Sequence, residues 1–299
     1  MARAIRVEYD GAVYHVMSRG NNGQEIFCTD KDRERFLQTL EDACEQTGWL
    51  VHAYVLMSNH YHILLETPEA NLVAGMKWFQ GTYTQRFNRA NDRCGHLFQG
   101  RYKSLLVDPE NPAYFSTVST YIHLNPVRAG LCAVPGDYPW SSCKYYGSKA
   151  SKRPEWLDGQ RVVDGFAFPG GIRMRSAAYV QYMTQRAAEE LDPQFQDQID
   201  LERKELRRGW IMGGEDFRSR VLDMLETMHV EQSDNFRSEQ RTMHGKSQAN
   251  VLLGKALGQL DLDESELLSS RSSMPEKQAV AWLLKKQTVV TGVWIAERL

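Results

Sequence analysis

The chain has 299 residues, 42% of them apolar, which is enough to bury a sizeable core and long for one compact domain. Its formal charge of -2 excludes a globally basic nucleic-acid coat, so any nucleic-acid site has to come from a local concentration of Lys and Arg. The cysteines, Cys28, Cys44, Cys94, Cys132 and Cys143, are odd in number and form no C-x-x-C pair, which argues against a disulfide framework and a zinc knuckle. With no apolar leader and no run of membrane-spanning length, the expectation is a cytoplasmic protein without a membrane partner.

Residues 11–19 (GAVYHVMSR) are rich in Val, Tyr and His and run into Gly20-Asn21-Asn22-Gly23, the composition of a strand followed by a turn. Thr29 or Asp30 can cap the next stretch, where Phe36, Leu37, Leu40 and Cys44 recur at helical spacing until Gly48 stops the helix. Residues 49–67 hold two apolar runs broken at Met57-Ser58-Asn59, which predicts an antiparallel hairpin with its turn near Ser58. Leu72, Met76, Phe79, Tyr83 and Phe87 then mark a second helix over 71–91. Residues 97–107, with Gly100 inside, read as a strand or bent hairpin. Pro112 opens a third helix expected to end near Asn125-Pro126. This order of β, α, β-β, α, β, α predicts an α+β fold, a ferredoxin-like (RRM-like) antiparallel sheet with helices on one face, followed by a mainly helical C-terminal region.

Pro, Gly, Ser and Trp accumulate after residue 133, so the expected organisation is a first domain over 1–150, a linker or wrapping tail over 151–175, and a helical region over 176–299. Within that last region 177–208 and 215–228 read as helices and the polar stretch 231–248 as an exposed connector.

Two constellations carry chemistry. In a strand alternate side chains share a face, so His60 and His62 point the same way while Tyr61 points into the opposite layer, and two imidazoles on one face can grip one divalent ion. On the third helix Tyr121 and Asn125 stand at i and i+4, which puts a phenol and a carboxamide on one face. Each pattern also has an ordinary structural explanation: half-buried strand histidines, a core tyrosine, and an asparagine ending a helix ahead of a proline.

Four ordered blocks go further. MSNHYHILL, GHLFQGRYKSLLV, YIHLNPVRAGL and YPWSS resemble signature blocks of the REP-associated tyrosine transposases, in the IS200-like, single-tyrosine branch of the HUH nucleases; the likeness covers roughly residues 11–146. The resemblance implies that His60 and His62 are the HUH histidines, that Tyr121 is the nucleophile, and that Asn125, where other IS200 enzymes carry Gln, is a third metal ligand. It implies Mg2+ or Mn2+ as cofactor, since a hard ion on two imidazoles and an amide oxygen keeps positions open for phosphate oxygens. The implied partner is single-stranded DNA with a REP-like hairpin, cut through a 5'-phosphotyrosine intermediate that a free 3'-hydroxyl can later attack. Oligomeric state stays open between monomer and homodimer, the latter being a tendency of IS200-like enzymes. Two rival classes are a non-catalytic DNA-hairpin-binding protein on the same scaffold, which the intact His60, His62, Tyr121 and Asn125 disfavour, and a replication-initiator or relaxase enzyme, which the single tyrosine and the flanking blocks disfavour.

Between Lys77 and Lys103 the charges are Lys77, Arg86, Arg89, Arg93, Arg101 and Lys103 against Asp92, a locally basic stretch suited to backbone contacts. Arg101 and Lys103 lead that set, which also includes Arg86 and Arg89; the interleaved Phe79, Tyr83, Phe87, Phe98 and Tyr102 could stack on bases, although at helical spacing most of them read as core. Arg19, Asn21 and Asn22 at the end of the first strand, and Arg128 past the third helix, complete the DNA-contact candidates. Residues 275–299 resemble the opening of a helix-turn-helix, with an amphipathic helix, a Thr-rich turn and the start of another helix.

Overall fold

The computed structural model describes residues 6–147, 153–190, 192–195, 199, 206, 209–227, 238–260, 262–271, 274–288 and 290–299. The chain divides into two compact units, Arg6–Phe217 and a second comprising Arg218–Leu299.

In the first unit, β1 (Ala12–Arg19), α1 (Asp30–Thr47), β2 (Leu50–Leu56), β3 (His60–Thr67), α2 (Leu72–Ala90) and β4 (Lys103–Val107) follow the expected order, and α3 (Pro112–Arg128) comes next. The strands form one sheet in the order β2-β3-β1-β4-β5, in which β5 (Ile211–Met212) runs parallel to β4 and every other pair is antiparallel. This is the strand order of the ferredoxin-like core. α1 starts where Thr29 N–H donates to the Asp32 carboxylate (2.9 Å), and it ends at Gly48, which takes the left-handed conformation at φ 72°. Asp32 also accepts from Asn91 at the far end of α2 (3.1 Å), so one carboxylate ties the start of one helix to the end of the other.

α1 and α2 lie together on one face of the sheet, where Phe36 and Phe79 pack against Tyr61 of β3 and Tyr83 packs against Phe36. The interleaved aromatics of the basic stretch are core here, with Phe79, Tyr83 and Phe87 fully buried and Phe98 and Tyr102 nearly so. The opposite face is covered as well. Val13, Val55, Leu64, Leu105 and Val107 meet Phe115, Val118 and Ile122 of α3, so the expected one-sided helical layer is joined by a second layer behind the sheet.

That second layer moves the domain boundary. Val162 and Val163 of α5 (Gln160–Asp164), Tyr179, Met183 and Ala187 of α6 (Ile172–Glu189), and Leu206 are buried in the same core as α3. Residues 153–190 are therefore part of the first unit rather than a linker and the start of a separate region, because α3 leaves apolar surface that they bury. The short helix α4 (Cys143–Tyr146) belongs to the same layer, and His123 of α3 is held there between Tyr179 Oη (2.5 Å) and Ser142 Oγ (2.7 Å).

α3 itself runs through Pro126 and ends at Arg128, close to the expected end near Asn125-Pro126. Pro126 has no N–H to give the Ile122 carbonyl, and Asn125 Nδ2 reaches back to that carbonyl (3.4 Å) and to the Tyr121 carbonyl (2.8 Å), so the side chain supplies a donor that the proline lacks.

After α7 (Glu215–Thr227), the second unit packs α8 (Ser238–Leu260), α9 (Glu264–Ser269), α10 (Pro275–Gln287) and α11 (Gly292–Arg298) around Leu253, Leu257, Leu267, Val280, Leu284 and Ile295. The stretch read as a connector over 231–248 is helical from Ser238 onward; its residues 231–237, most of 196–208, Met228, and 151–152 of the expected linker lie outside the described residues. In the span 275–299 the described helices are α10 and α11, and Thr291 caps α11 by accepting from Trp294 N–H (3.2 Å).

Gly75 shows how tightly the first face is packed. A Cβ there would fall inside van der Waals contact with the buried Trp49 indole, whose Nε1 is fixed to Asn71 Oδ1 (2.7 Å). Gly75→Ala is expected to lower stability by about 1–3 kcal/mol despite the better helix propensity of Ala, measurable as a drop in the urea midpoint.

Candidate active site

The β1–β3 ladder sets the site. Its register places Met17 opposite His62 and Arg19 opposite His60, while β4 brings Lys103 opposite Met17. The β2–β3 turn closes with Met57 N–H on the His60 carbonyl (2.8 Å), and Gly20 N–H reaches the Asn59 carbonyl (2.8 Å), so His60 starts its strand from a turn held on two sides.

His60 and His62 do share a face, with ring centroids 5.3 Å apart and planes nearly perpendicular. α3 lays Tyr121 against them: its ring centre is 5.5 Å from that of His62, edge to face. Asn125 joins them at a cavity of about 720 Å³ whose lining also includes Arg19, Asn59, Arg101 and Lys103. Tyr121 is 3% exposed, so its phenol is shielded from bulk water and is reached through this cavity.

The hydrogen bonds select the atoms that would face a cation entering the cavity. His60 Nδ1 donates to Asn59 Oδ1 (2.7 Å), and Asn59 is itself anchored through Nδ2 on the Gly23 carbonyl (3.2 Å). His62 Nδ1 is 2.9 Å from His15 Nε2. With both Nδ1 atoms engaged, coordination by either ring would use Nε2. Asn125 spends its amide nitrogen on backbone carbonyls, which makes the oxygen the atom it can offer a cation. Two imidazoles and an amide oxygen are a donor set suited to a hard divalent ion with open positions. Among the described residues no three His, Cys, Asp or Glu side chains gather into a metal site, so any ion here depends on the amide.

The basic candidates separate in space. Arg19, Arg101 and Lys103 line the cavity. Asn21 and Asn22 lie in the exposed turn just after β1, Asn22 in the left-handed region at φ 52°. Arg86 and Arg89 stand instead on the α1–α2 face, lining another groove with Arg35, and Arg86 is committed to Asp42 (2.8 Å) and Thr39 (2.8 Å) of α1. Arg128 turns inward: its guanidinium lies 4.8 Å from the Tyr121 ring centre, donates to the Tyr121 carbonyl (3.1 Å) and pairs with Glu190 Oε1 (2.5 Å), both side chains being largely buried.

The sequence reading missed three side chains, His15, Asn59 and Glu190. Asn59 was visible as the neighbour of His60 inside its block. His15 sits on β1, on the face of Met17, but recognising it needs the strand register; Glu190 is 62 residues from its partner and carries no local signal.

Residues 8–125 match the family described as IS200-like transposase. The matched segment runs from just before β1 to Asn125, and so includes His60, His62, Tyr121 and Asn125, whereas α4, α5, α6 and the second unit lie beyond it. No curated protein matches the chain. A solved structure of a REP-associated tyrosine transposase bound to a REP hairpin is similar over 47% of this chain and 82% of its own length, at 17% identity and a TM-score of 0.40. No helix of the described residues is long and apolar enough to cross a membrane.

Two stability predictions follow from the burial around the site. Glu190→Ala would strand the buried Arg128 guanidinium and is expected to cost about 3–5 kcal/mol, while the double change with Arg128→Met should recover much of the loss; chemical denaturation of the three proteins checks this. Burial holds His15 and His123 at a pKa of about 3, far below the 6.5 of an exposed imidazole. Above pH 6.5 both are neutral whether the chain is folded or not; below it they take up protons when the chain unfolds but not while it is folded. Stability is therefore expected to fall on acidification from pH 6.5 toward 3, by up to about 1.4 kcal/mol per pH unit for each histidine. Urea melts between pH 7 and 4 should show this slope, reduced in His123→Gln.

Proposed function

We propose that the Arg6–Phe217 unit is an IS200-like transposase domain, a divalent-metal-dependent endonuclease and strand transferase for single-stranded DNA bearing REP-like hairpins, with Tyr121 as nucleophile. The observation that carries the reading is the convergence of Tyr121, His60, His62 and Asn125 on one cavity rimmed by Arg19, Arg101 and Lys103.

The scissile phosphate enters the cavity over the three cations, which offset its charge and hold it against the Tyr121 edge. A bound Mg2+ or Mn2+, held by His60 Nε2, His62 Nε2 and Asn125 Oδ1, would polarise the phosphodiester and neutralise developing charge. Tyr121 Oη attacks phosphorus; the new O–P bond forms as the bond to the 3'-oxygen breaks, and the proton lost by the phenol is balanced by the one gained at the leaving 3'-hydroxyl. The 5'-phosphotyrosyl link keeps the energy of the broken diester, so a 3'-hydroxyl on the same or another strand can reverse or redirect the reaction without a nucleotide cofactor. Single strands suit this chemistry because the phosphate has to thread a confined site beside a shielded phenol.

Arg128 is assigned to support rather than to DNA: its guanidinium backs the Tyr121 ring and is neutralised by Glu190. Arg86 and Arg89 are likewise left out of the proposed DNA path, which runs along the sheet face opposite to α1 and α2.

Incubating the protein with labelled hairpin-bearing single strands and Mg2+ or Mn2+ is expected to give a covalent protein–DNA adduct that chelator abolishes and that Tyr121→Phe does not form. His62→Ala should slow adduct formation at least about 100-fold, since even the hydrogen-bond partners of metal ligands are worth about 10–100-fold. An equal yield from Tyr121→Phe would overturn the nucleophile. In binding assays Arg101→Ala and Lys103→Ala should each reduce the salt slope by about 1, whereas Arg86→Ala should leave it unchanged.

A further inference from the structure

One buried imidazole beside the cavity has no part in the steps above. His15 is wholly buried on β1, with its ring centre 5.0 Å from that of His62 and 5.7 Å from that of Tyr121. Its Nε2 is at hydrogen-bond distance from His62 Nδ1 (2.9 Å), and its Nδ1 is buried with no hydrogen-bond partner among the described residues.

We propose that His15 is a positioning residue that fixes the tautomer and orientation of His62, accepting the His62 Nδ1–H at its own Nε2 so that His62 presents Nε2 to the metal. The proposal rests on the metal-dependent reading of the site and adds to it a named partner for one ligand.

A coordinating imidazole is neutral and offers one nitrogen as a lone pair, so the other nitrogen carries the proton and needs an acceptor. For His60 that acceptor is the Asn59 amide oxygen. For His62 the facing atom is a second imidazole nitrogen, which can either accept or donate. If His15 donates from Nε2, the proton of His62 moves to its own Nε2 and that atom is closed to a metal. If His15 accepts, its own proton sits on Nδ1, the buried atom that lacks a partner. The pair thus has two proton arrangements, of which one is competent to bind an ion; His15 Nδ1 lacks a partner in both, as an N–H when His15 accepts and as a lone pair when it donates.

The choice of partner also has an electrostatic result. A carboxylate behind a ligating histidine would pass negative charge toward the ion, whereas an imidazole behind His62 and an amide behind His60 are both neutral. The full charge of the ion, with Arg19, Arg101 and Lys103, is then directed at the DNA phosphate.

The test uses the full chain with 15N-labelled histidine, with and without Mg2+, together with calorimetric titration of Mn2+ into wild type, His15→Phe and His15→Gln. In the Mg2+-loaded protein His62 is expected to be protonated at Nδ1, with scalar coupling across to His15 Nε2, and His15 to be protonated at Nδ1. His15→Phe should weaken Mn2+ binding about 10–100-fold while keeping a cooperative melt, and His15→Gln, whose carboxamide reaches close to the Nε2 position, should retain most of the affinity. An unchanged Mn2+ affinity in His15→Phe, or His62 protonated at Nε2 in the Mg2+-loaded protein, overturns the proposal; should His15→Phe fail to fold, the wild-type tautomer decides. A wild type that binds no Mn2+ refutes the metal-dependent reading itself, whereas a wild type that binds it as tightly as His15→Phe refutes the role of His15 alone.

Discussion

The antiparallel ladder between β1 and β3 is the constraint on which the candidate site depends. Because side chains alternate along a strand, the pairing of Met17 with His62 fixes which residues stand behind α3 and which face α1 and α2. A slip of one residue would send His60 and His62 into the aromatic layer around Phe36 and Phe79 and put Tyr61 in the cavity. That slip is prevented from both sides of the sheet: Tyr61 is fully buried among rings, and Leu64 is fully buried against α3. The geometry of the candidate site and the packing of the core are thus settled by one register.

The second contribution is the end of α3. A proline four residues past Ile122 removes the donor its carbonyl needs, and the same Asn125 that repairs the gap is the proposed oxygen ligand of the cation. The repair aims the amide by occupying its nitrogen. Arg128, one further turn along, closes the arrangement by bonding the Tyr121 carbonyl and lying over the Tyr121 ring. The final turn of this helix is therefore held by side chains where backbone bonding falls short, and both the proposed nucleophile and the proposed oxygen ligand are placed by it.

Much of this was legible in the sequence because it is local. The His60-Tyr61-His62 alternation, the i and i+4 spacing of Tyr121 and Asn125, the Thr29 cap and the break at Ser58-Asn59 all lie within a few residues and translate directly into faces and turns. What was not legible depends on pairings between distant segments. His15 looks like one polar residue among the valines of β1 until the register sets it beside His62. The helical layer formed by α3, α5 and α6 placed the unit boundary far beyond the Gly- and Pro-rich stretch, because burial of Val162, Tyr179 and Met183 outweighs the composition between them. Arg86 and Arg101 look alike in a charge count, and only the fold assigns them to different faces.

The segment around Tyr138 to Ser142, one of the blocks seen in the sequence, has an effect beyond its own packing. On the outer side of β2, Leu56 N–H bonds to the Trp140 carbonyl, Tyr54 N–H to Ser142 Oγ, and Val51 N–H to the Trp156 carbonyl. The outward carbonyls of Val51, Tyr54 and Leu56 are taken by Asp158 N–H, Ser142 N–H and Tyr138 Oη. Every one of these strand-edge groups is spoken for within the chain, so neither a second copy nor an unfolded neighbour can extend the sheet across β2, and self-association by strand addition at that margin is closed.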